Sequence, residues 1–177
     1  MKKSLRFNKA YLLIAGTCFF AVVLIGNSFY NHLKPSYKIK QKIVFIHSNI
    51  NYAWGYHNSG YYIDGKGNMI KYDLSKEDKK YADIINLLEY LEKQDNPAIS
   101  KTISASEMNK YYDYLYKINP ETKLIKHSKG ADMGSSTIYG VTYSKDGKPN
   151  FIKIYTSGDW EIENPDPYAK KIKDWLR

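Results

Sequence analysis

The sequence predicts an α+β fold: an N-terminal transmembrane helix leads into one domain whose antiparallel sheet, a strand plus two hairpins, is packed by three helices. Three observations predict it. An uncharged stretch near the N-terminus is long enough to cross a bilayer, two runs of period two flank turns of almost the same sequence, and three segments carry apolar residues at helical spacing. The order strand, hairpin, helix, helix, hairpin, helix argues an antiparallel sheet covered on one face.

The first element is the span. Residues 1–10 form a basic tail with Lys2, Lys3, Arg6 and Lys9 and no acid, and residues 11–30 carry no charge. Twenty residues at about 1.5 Å each match a hydrocarbon core of about 30 Å. A short cationic tail before such a stretch is the usual shape of a signal-anchor whose tail stays in the cytoplasm, so the rest of the chain is expected outside the membrane. Cleavage near residue 28, with Gly26 and Ser28 as the small residues before the cut, is the alternative and would give a secreted protein. Lipidation at Cys18 is disfavoured, because Thr17 precedes it and the apolar run continues beyond it.

Residues 31–36 read as a tether closed by Pro35 and Ser36, and residues 37–177 as the extracytoplasmic domain. Its first strand is expected in YKIKQKIVFIH. There Tyr37, Ile39, Ile43 and Phe45 point inward, while Lys38, Lys40 and Lys42 point to solvent or lipid headgroups. The first hairpin turns at Asp64-Gly65-Lys66-Gly67-Asn68, and the second at Lys145-Asp146-Gly147-Lys148. In the second, Ile152 and Ile154 are expected on one face and Phe151, Lys153 and Tyr155 on the other. The first helix carries Ile84, Leu87, Leu88 and Leu91 on a stripe, with Tyr81 a turn earlier. The second opens at Ser104 with Glu107 in capping-box position and buries Met108, Tyr111, Tyr112, Leu115 and Ile118. The third opens at Asp166 with Pro167 in the first turn, and Tyr168, Ile172 and Trp175 form its stripe.

The two turns raise a question of their own, since DGKGNMIK at 64 and DGKPNFIK at 146 share six of eight positions. Neither is a calcium loop: Lys66 and Lys148 stand where the third ligand belongs, and Ser75 and Ser157 where a bidentate Glu belongs. Neither is a phosphate cradle, because the glycines do not lead from a strand into a helix. Tyr81-Ala82 and Tyr168-Ala169 follow the respective hairpins at helix openings, so a degenerate hairpin-helix repeat over 54–93 and 137–177 is one reading. Turn chemistry reached twice is the simpler one.

Composition narrows function by exclusion. Of 27 basic residues only Arg6 and Arg177 are arginine, which argues against nucleic-acid readout by guanidinium forks. The single cysteine, Cys18, excludes an internal disulfide framework, a disulfide-linked partner for the domain, zinc knuckles and CxxC redox chemistry. No cofactor motif is present. Removing Lys2, Lys3, Arg6 and Lys9 leaves 23 basic against 18 acidic residues, a mildly cationic domain. Abundant Lys, Asn, Ile and Tyr fit an AT-rich bacterial genome, and the element order and leading span resemble in style the small exported proteins of low-GC Gram-positive bacteria.

No catalytic constellation stands out, so the leading expectation is a non-catalytic, membrane-anchored binding domain of a Gram-positive-type envelope. Its partner is expected to be an envelope protein or a cell-wall polymer, and inhibitor or immunity roles are included. Trp54, Tyr56 and His57 lie in an aromatic stretch among Asn, Gly and Ser, and Asp159, Trp160 and Glu161 form an acidic aromatic segment; these are the candidate binding residues. Lys38, Lys40 and Lys42 are the candidate membrane-surface residues. The alternative is an envelope hydrolase working from the loop 127–137, with His127 as base, Asp132 as its orienting carboxylate and Ser135 or Ser136 as nucleophile. His47, His57 and Asp64 have no recognised metal spacing, and no metal site is expected.

Overall fold

The described residues form eight strands, three more than the strand and two hairpins expected, and three α-helices. The computed structural model describes residues 38–53, 55–75, 79–130 and 134–177, so the expected span, tether and Cys18 lie outside the described residues. The strands are β1 (Ile43–Asn51), β2 (His57–Asp64), β3 (Asn68–Asp73), β4 (Ile99–Thr102), β5 (Ile125–Ser128), β6 (Ser135–Tyr143), β7 (Pro149–Gly158) and β8 (Trp160–Glu163). The helices are α1 (Ile84–Glu92), α2 (Ala105–Leu115) and α3 (Pro167–Leu176), with a 3-10 turn at Lys79–Ala82 ahead of α1. All strands join one antiparallel sheet in the order β4-β3-β2-β1-β6-β7-β8-β5. Among the described residues no helix is long and apolar enough to cross a membrane.

The sheet is covered on both faces, not on one as the element order suggested. The cause lies in β1, where Ile43, Val44, Phe45 and Ile46 are all at most 1 % exposed. Ile43 and Ile46 pack with Tyr62, Ile70 and Val141 beneath Leu87, Leu88 and Leu91 of α1. Val44 and Phe45 pack on the other side with Ile63, Ile138 and Ile154 against Met108 and Leu115 of α2 and Ala169 and Ile172 of α3. Along Ile43–Ile46 this central strand, flanked by β2 and β6, is covered on both faces, so an unbroken apolar run replaces alternation there.

Register irregularities correct two side-chain assignments. β1 begins at Ile43, so Lys38, Lys40 and Lys42 precede the strand instead of lining it. The shift between Ile43 and Phe45 sends these two residues to opposite faces. In β7 the pairing slips between Tyr155 and Lys153, which brings Tyr155 onto the face of Ile152 and Ile154. A bulge inserts one residue and reverses the alternation beyond it.

The helices start where their caps dictate. The Asp83 carboxylate accepts from the amides of Ile85 (3.0 Å) and Asn86 (3.1 Å), which fixes the first turn of α1. Ser104 accepts from the Glu107 amide at 3.3 Å, whereas the Glu107 carboxylate turns away to take the Trp175 indole N–H at 2.8 Å, so only half of the capping box forms. Asp166 accepts from the Tyr168 amide at 2.8 Å and, with its other oxygen, from the Asn119 amide at 3.0 Å. Leu115 approaches the sheet directly over Gly140, where any side chain would overlap it.

The two DGK turns are built differently. In the first, Asp64 accepts from the amides of Lys66 and Asn68, both at 2.8 Å, and the positive φ falls on Gly67 (75°). Gly65 is there for space, since a Cβ would overlap the Gln41 carbonyl. In the second turn the positive φ falls on Gly147 (78°), the counterpart of Gly65, and Ser144 clasps Asp146 and the Lys148 backbone. The same three letters thus serve close approach in one turn and left-handed backbone in the other.

Candidate functional site at the open end of the sheet

Antiparallel pairing gathers three connections at one end of the sheet. Asn51 pairs with His57, Ile50 and Gly158 both pair with Ser135, and Ser128 pairs with Trp160. The described residues of the 51–57, 128–135 and 158–160 connections therefore share one rim. Backbone bonds join them: the Asp159 amide donates to the Gly134 carbonyl and the Lys129 amide to the Asp159 carbonyl, both at 3.1 Å. From β2 to β8 the rim crosses four interstrand gaps, roughly 19 Å.

Aromatic rings stand on this rim. Tyr52 is 54 % exposed and Trp160 46 %. The Tyr52 ring lies 5.7 Å from that of Tyr56, whose hydroxyl accepts from the Asn58 amide at 3.0 Å. Lys126 sets its ammonium 3.8 Å from the Trp160 ring centroid, a cation–π contact that fixes the indole. The carboxylates around Trp160 are engaged inside the domain: Glu161 takes the Lys129 ammonium at 2.5 Å and the Tyr155 hydroxyl at 2.9 Å, Glu163 pairs with Lys173, and Asp166 caps α3. Lys129 first, and Tyr155 after it, hold the Glu161 carboxyl below the ordinary range.

Below the rim, on the face that carries α2 and α3, a polar row crosses five strands: Ser157, Ser136, Asn49, Ser59 and Asp73 are paired in that sequence. The next row holds Tyr155, Ile138, His47, Tyr61 and Lys71. Helix α3 ends over the second row, where the Tyr61 hydroxyl donates to the Leu176 carbonyl at 2.9 Å and Lys173 and Arg177 lie over the Tyr155 ring, and it stops short of the polar row. What remains is an open groove made of two adjoining hollows of about 590 and 390 Å³ that share Asn49 and Ser59.

His47 is the most constrained group in this groove. Its Nε2 lies 2.8 Å from Ser136 Oγ, and its ring packs 4.9 Å from that of Tyr61. Burial lowers its pKa from the ordinary 6.5, because desolvation penalises the imidazolium. Below pH 6.5 the unfolded chain takes up a proton that the folded chain refuses, so this site makes stability fall as pH drops through the depressed folded value. Above 6.5 it contributes no slope. His47→Gln is expected to flatten the acid limb of a plot of unfolding midpoint against pH; an unchanged limb would mean that His47 titrates normally. His57 sits at the groove margin, its Nε2 3.2 Å from Ser59 Oγ and its Nδ1 against Ser75, which donates to Asp73 at 2.5 Å.

The residues expected in the 127–137 loop do not converge. His127 is exposed on edge strand β5, opposite Glu161, and β7 and β8 separate it from Ser136 by roughly 14 Å. Asp132 lies outside the described residues, and Ser135 alternates to the face opposite Ser136. The histidine that Ser136 meets is His47, 89 positions earlier, a neighbour created only by the pairing of β1 with β6. Tyr56, His57, Asp159, Trp160 and Glu161 share the rim end, whereas Trp54 lies outside the described residues. Lys38, Lys40 and Lys42 are exposed at the other end, beside the two DGK turns, and Lys42 donates to the Glu92 carbonyl at 3.3 Å. Asp64 belongs to that end too, far from His57. Among the described residues no group of three or more His, Cys, Asp or Glu is placed to hold a metal ion.

No protein-family model matches the chain, and neither does any curated protein or any solved structure.

Proposed function

We propose that residues 11–30 anchor the chain in the membrane and hold residues 37–177 on the outer side of a Gram-positive-type envelope. There they act as a non-catalytic domain that binds an envelope protein or a cell-wall polymer through the rim. One observation carries this reading: exposed Tyr52 and Trp160 stand at the same end of the sheet as a polar groove that no helix covers. Rigid amphipathic rings at an exposed end supply contact area at little entropic cost, as binding surfaces require. Lys38, Lys40 and Lys42 lie at the opposite end, next in sequence to the anchor, which suits them to anionic headgroups at ~1 kcal/mol per lysine. Crosslinking in whole cells is expected to give a specific adduct whose yield drops about tenfold in Trp160→Ala or in Tyr52→Ala, as for a buried aromatic anchor. An adduct indifferent to both substitutions, or none under any condition, would count against the binding role.

A second reading, an envelope hydrolase, draws on the contact of Ser136 with His47. A neutral imidazole within 3 Å of a serine hydroxyl can take its proton as the oxygen attacks an acyl carbon. Here His47 would replace His127 as the base. Covalent labelling of Ser136 by a fluorophosphonate, lost in His47→Ala, would carry this reading, and an unlabelled full-length chain would end it.

A further inference from the structure

We propose that the groove over Asn49 takes an uncharged polyhydroxylated chain, a glycan strand laid across the sheet strands. The inference deepens the binding role above by naming the ligand class, and it rests on that role. The first support is charge. Ser157, Ser136, Asn49 and Ser59 form four consecutive members of the polar row, and none of them bears a charge. His47, just below, has its charged form disfavoured by burial. Charges appear only at the two ends: Lys71 and Asp73, of opposite sign, at the β3 end, and at the β7 end Lys173 and Arg177, which lie over the Tyr155 ring, Lys173 being paired with Glu163. An anionic polymer or a nucleic acid would find no cationic floor, since phosphate binding needs lysine or arginine directed at it.

The second support is unused hydrogen-bonding capacity. Ser136 and Ser59 are engaged by His47 and His57, but the Asn49 amide and the Ser157 hydroxyl make no side-chain hydrogen bond to the described residues. Asn49 lies at the middle of the row with one carbonyl acceptor and two N–H donors to offer, and Ser157 at its end with one hydroxyl. Paired donors and acceptors on a flat floor match ring hydroxyls, each of which both donates and accepts. An apolar peptide would instead leave these groups desolvated and unpaired, at a penalty of about 1–3 kcal/mol each.

The third support is shape. The row crosses four interstrand gaps, roughly 19 Å, which is room for an oligosaccharide and more than one ring needs. Tyr52 and Trp160 stand at the same end but not on this face: Trp160 alternates with Glu161 and Glu163, which meet Tyr155 and Lys173 on the α2/α3 face, and Tyr52 lies against Tyr56 on the side of Asn58, so ring stacking is no part of the assignment. A protein segment in the groove is the competing occupant.

Titration calorimetry of the full-length chain in detergent micelles tests this, with tetramers of β-1,4-linked glucose and of β-1,4-linked N-acetylglucosamine as probes. Saturable binding of at least one is expected, weakened about tenfold by Asn49→Ala with Ser157→Ala, the equivalent of about 1.4 kcal/mol. The same pair of substitutions should leave the unfolding midpoint in place, because neither side chain makes a hydrogen bond to the described residues. Asn49→Asp should weaken binding further than Asn49→Ala does, by placing a charge in a neutral floor. If neither tetramer binds, or if binding ignores both substitutions, the glycan assignment is overturned. A whole-cell adduct still sensitive to Trp160→Ala would then show that the binding role stands with a protein as its ligand.

Discussion

Phe45→Ala lowers the stability of the domain by about 3–5 kcal/mol, the cost of an unfilled cavity in a close-packed core. Phe45 is fully buried in β1, the strand at the centre of the sheet. Its ring meets Trp175 of α3 edge-on at 5.5 Å, Trp175 stacks on Tyr111 of α2 at 3.9 Å, and the Trp175 indole N–H reaches Glu107. One ring therefore supports the contact between the sheet and both helices on that face, so the cavity cannot collapse without moving α2 and α3 together. Denaturant titration followed by tryptophan fluorescence should show the midpoint falling with the slope unchanged. A loss below about 1 kcal/mol would mean that this face is not packed as described.

Gly60→Ala is expected to be nearly as damaging, although it adds only a methyl group. Gly60 lies in β2 between Ser48 of β1 and Tyr72 of β3, and a Cβ there would overlap the His47 backbone carbonyl oxygen. A flexible side chain could step aside, but a ladder carbonyl cannot without breaking the β1–β2 register. The penalty is therefore at or above the roughly 1–3 kcal/mol typical of overpacking. Because the same carbonyl belongs to His47, the strain is delivered to the floor of the groove. Thermal unfolding should report a lower midpoint and the acid limb assigned to His47 should shift with it; a midpoint equal to that of the unsubstituted chain would show that the ladder can open there freely.

Much of this architecture is legible in the sequence because its signals are local. The stripes Leu87, Leu88, Leu91 and Met108, Leu115, Ile118 identify helices, and Asp166-Pro167 marks where α3 starts, because cap and period are set within one or two turns. Both hairpins announce themselves through Asp-Gly. Strands β4, β5 and β8 do not: each has four residues, too few for a period, and β4 and β5 bury none of their side chains. The second covered face was hidden for a related reason, since the run from Ile43 to Ile46 reads as noise in an alternating pattern until both its neighbours are known.

The groove is less legible than the fold. In the sequence Ser136 stands near His127, whereas in the fold it meets His47 across the β1–β6 ladder. Asn49, Ser59 and Ser157 are ordinary strand residues one at a time; only the register aligns them into a row. Their signal was present as hydroxyl and amide residues at alternate positions in β1, β2, β6 and β7, near the ends that face the aromatic connections, and it could be used only once strand order was known.

The central claim is that the rim is displayed outside the membrane, and the lone cysteine makes it directly testable. Trp160→Cys puts a thiol on the exposed rim, and Cys18 of the expected span supplies the background in the unsubstituted chain. In intact cells, a membrane-impermeant maleimide should label Trp160→Cys well above that background without lysis. Labelling that appears only after the cells are broken would put the domain on the cytoplasmic side and contradict the account.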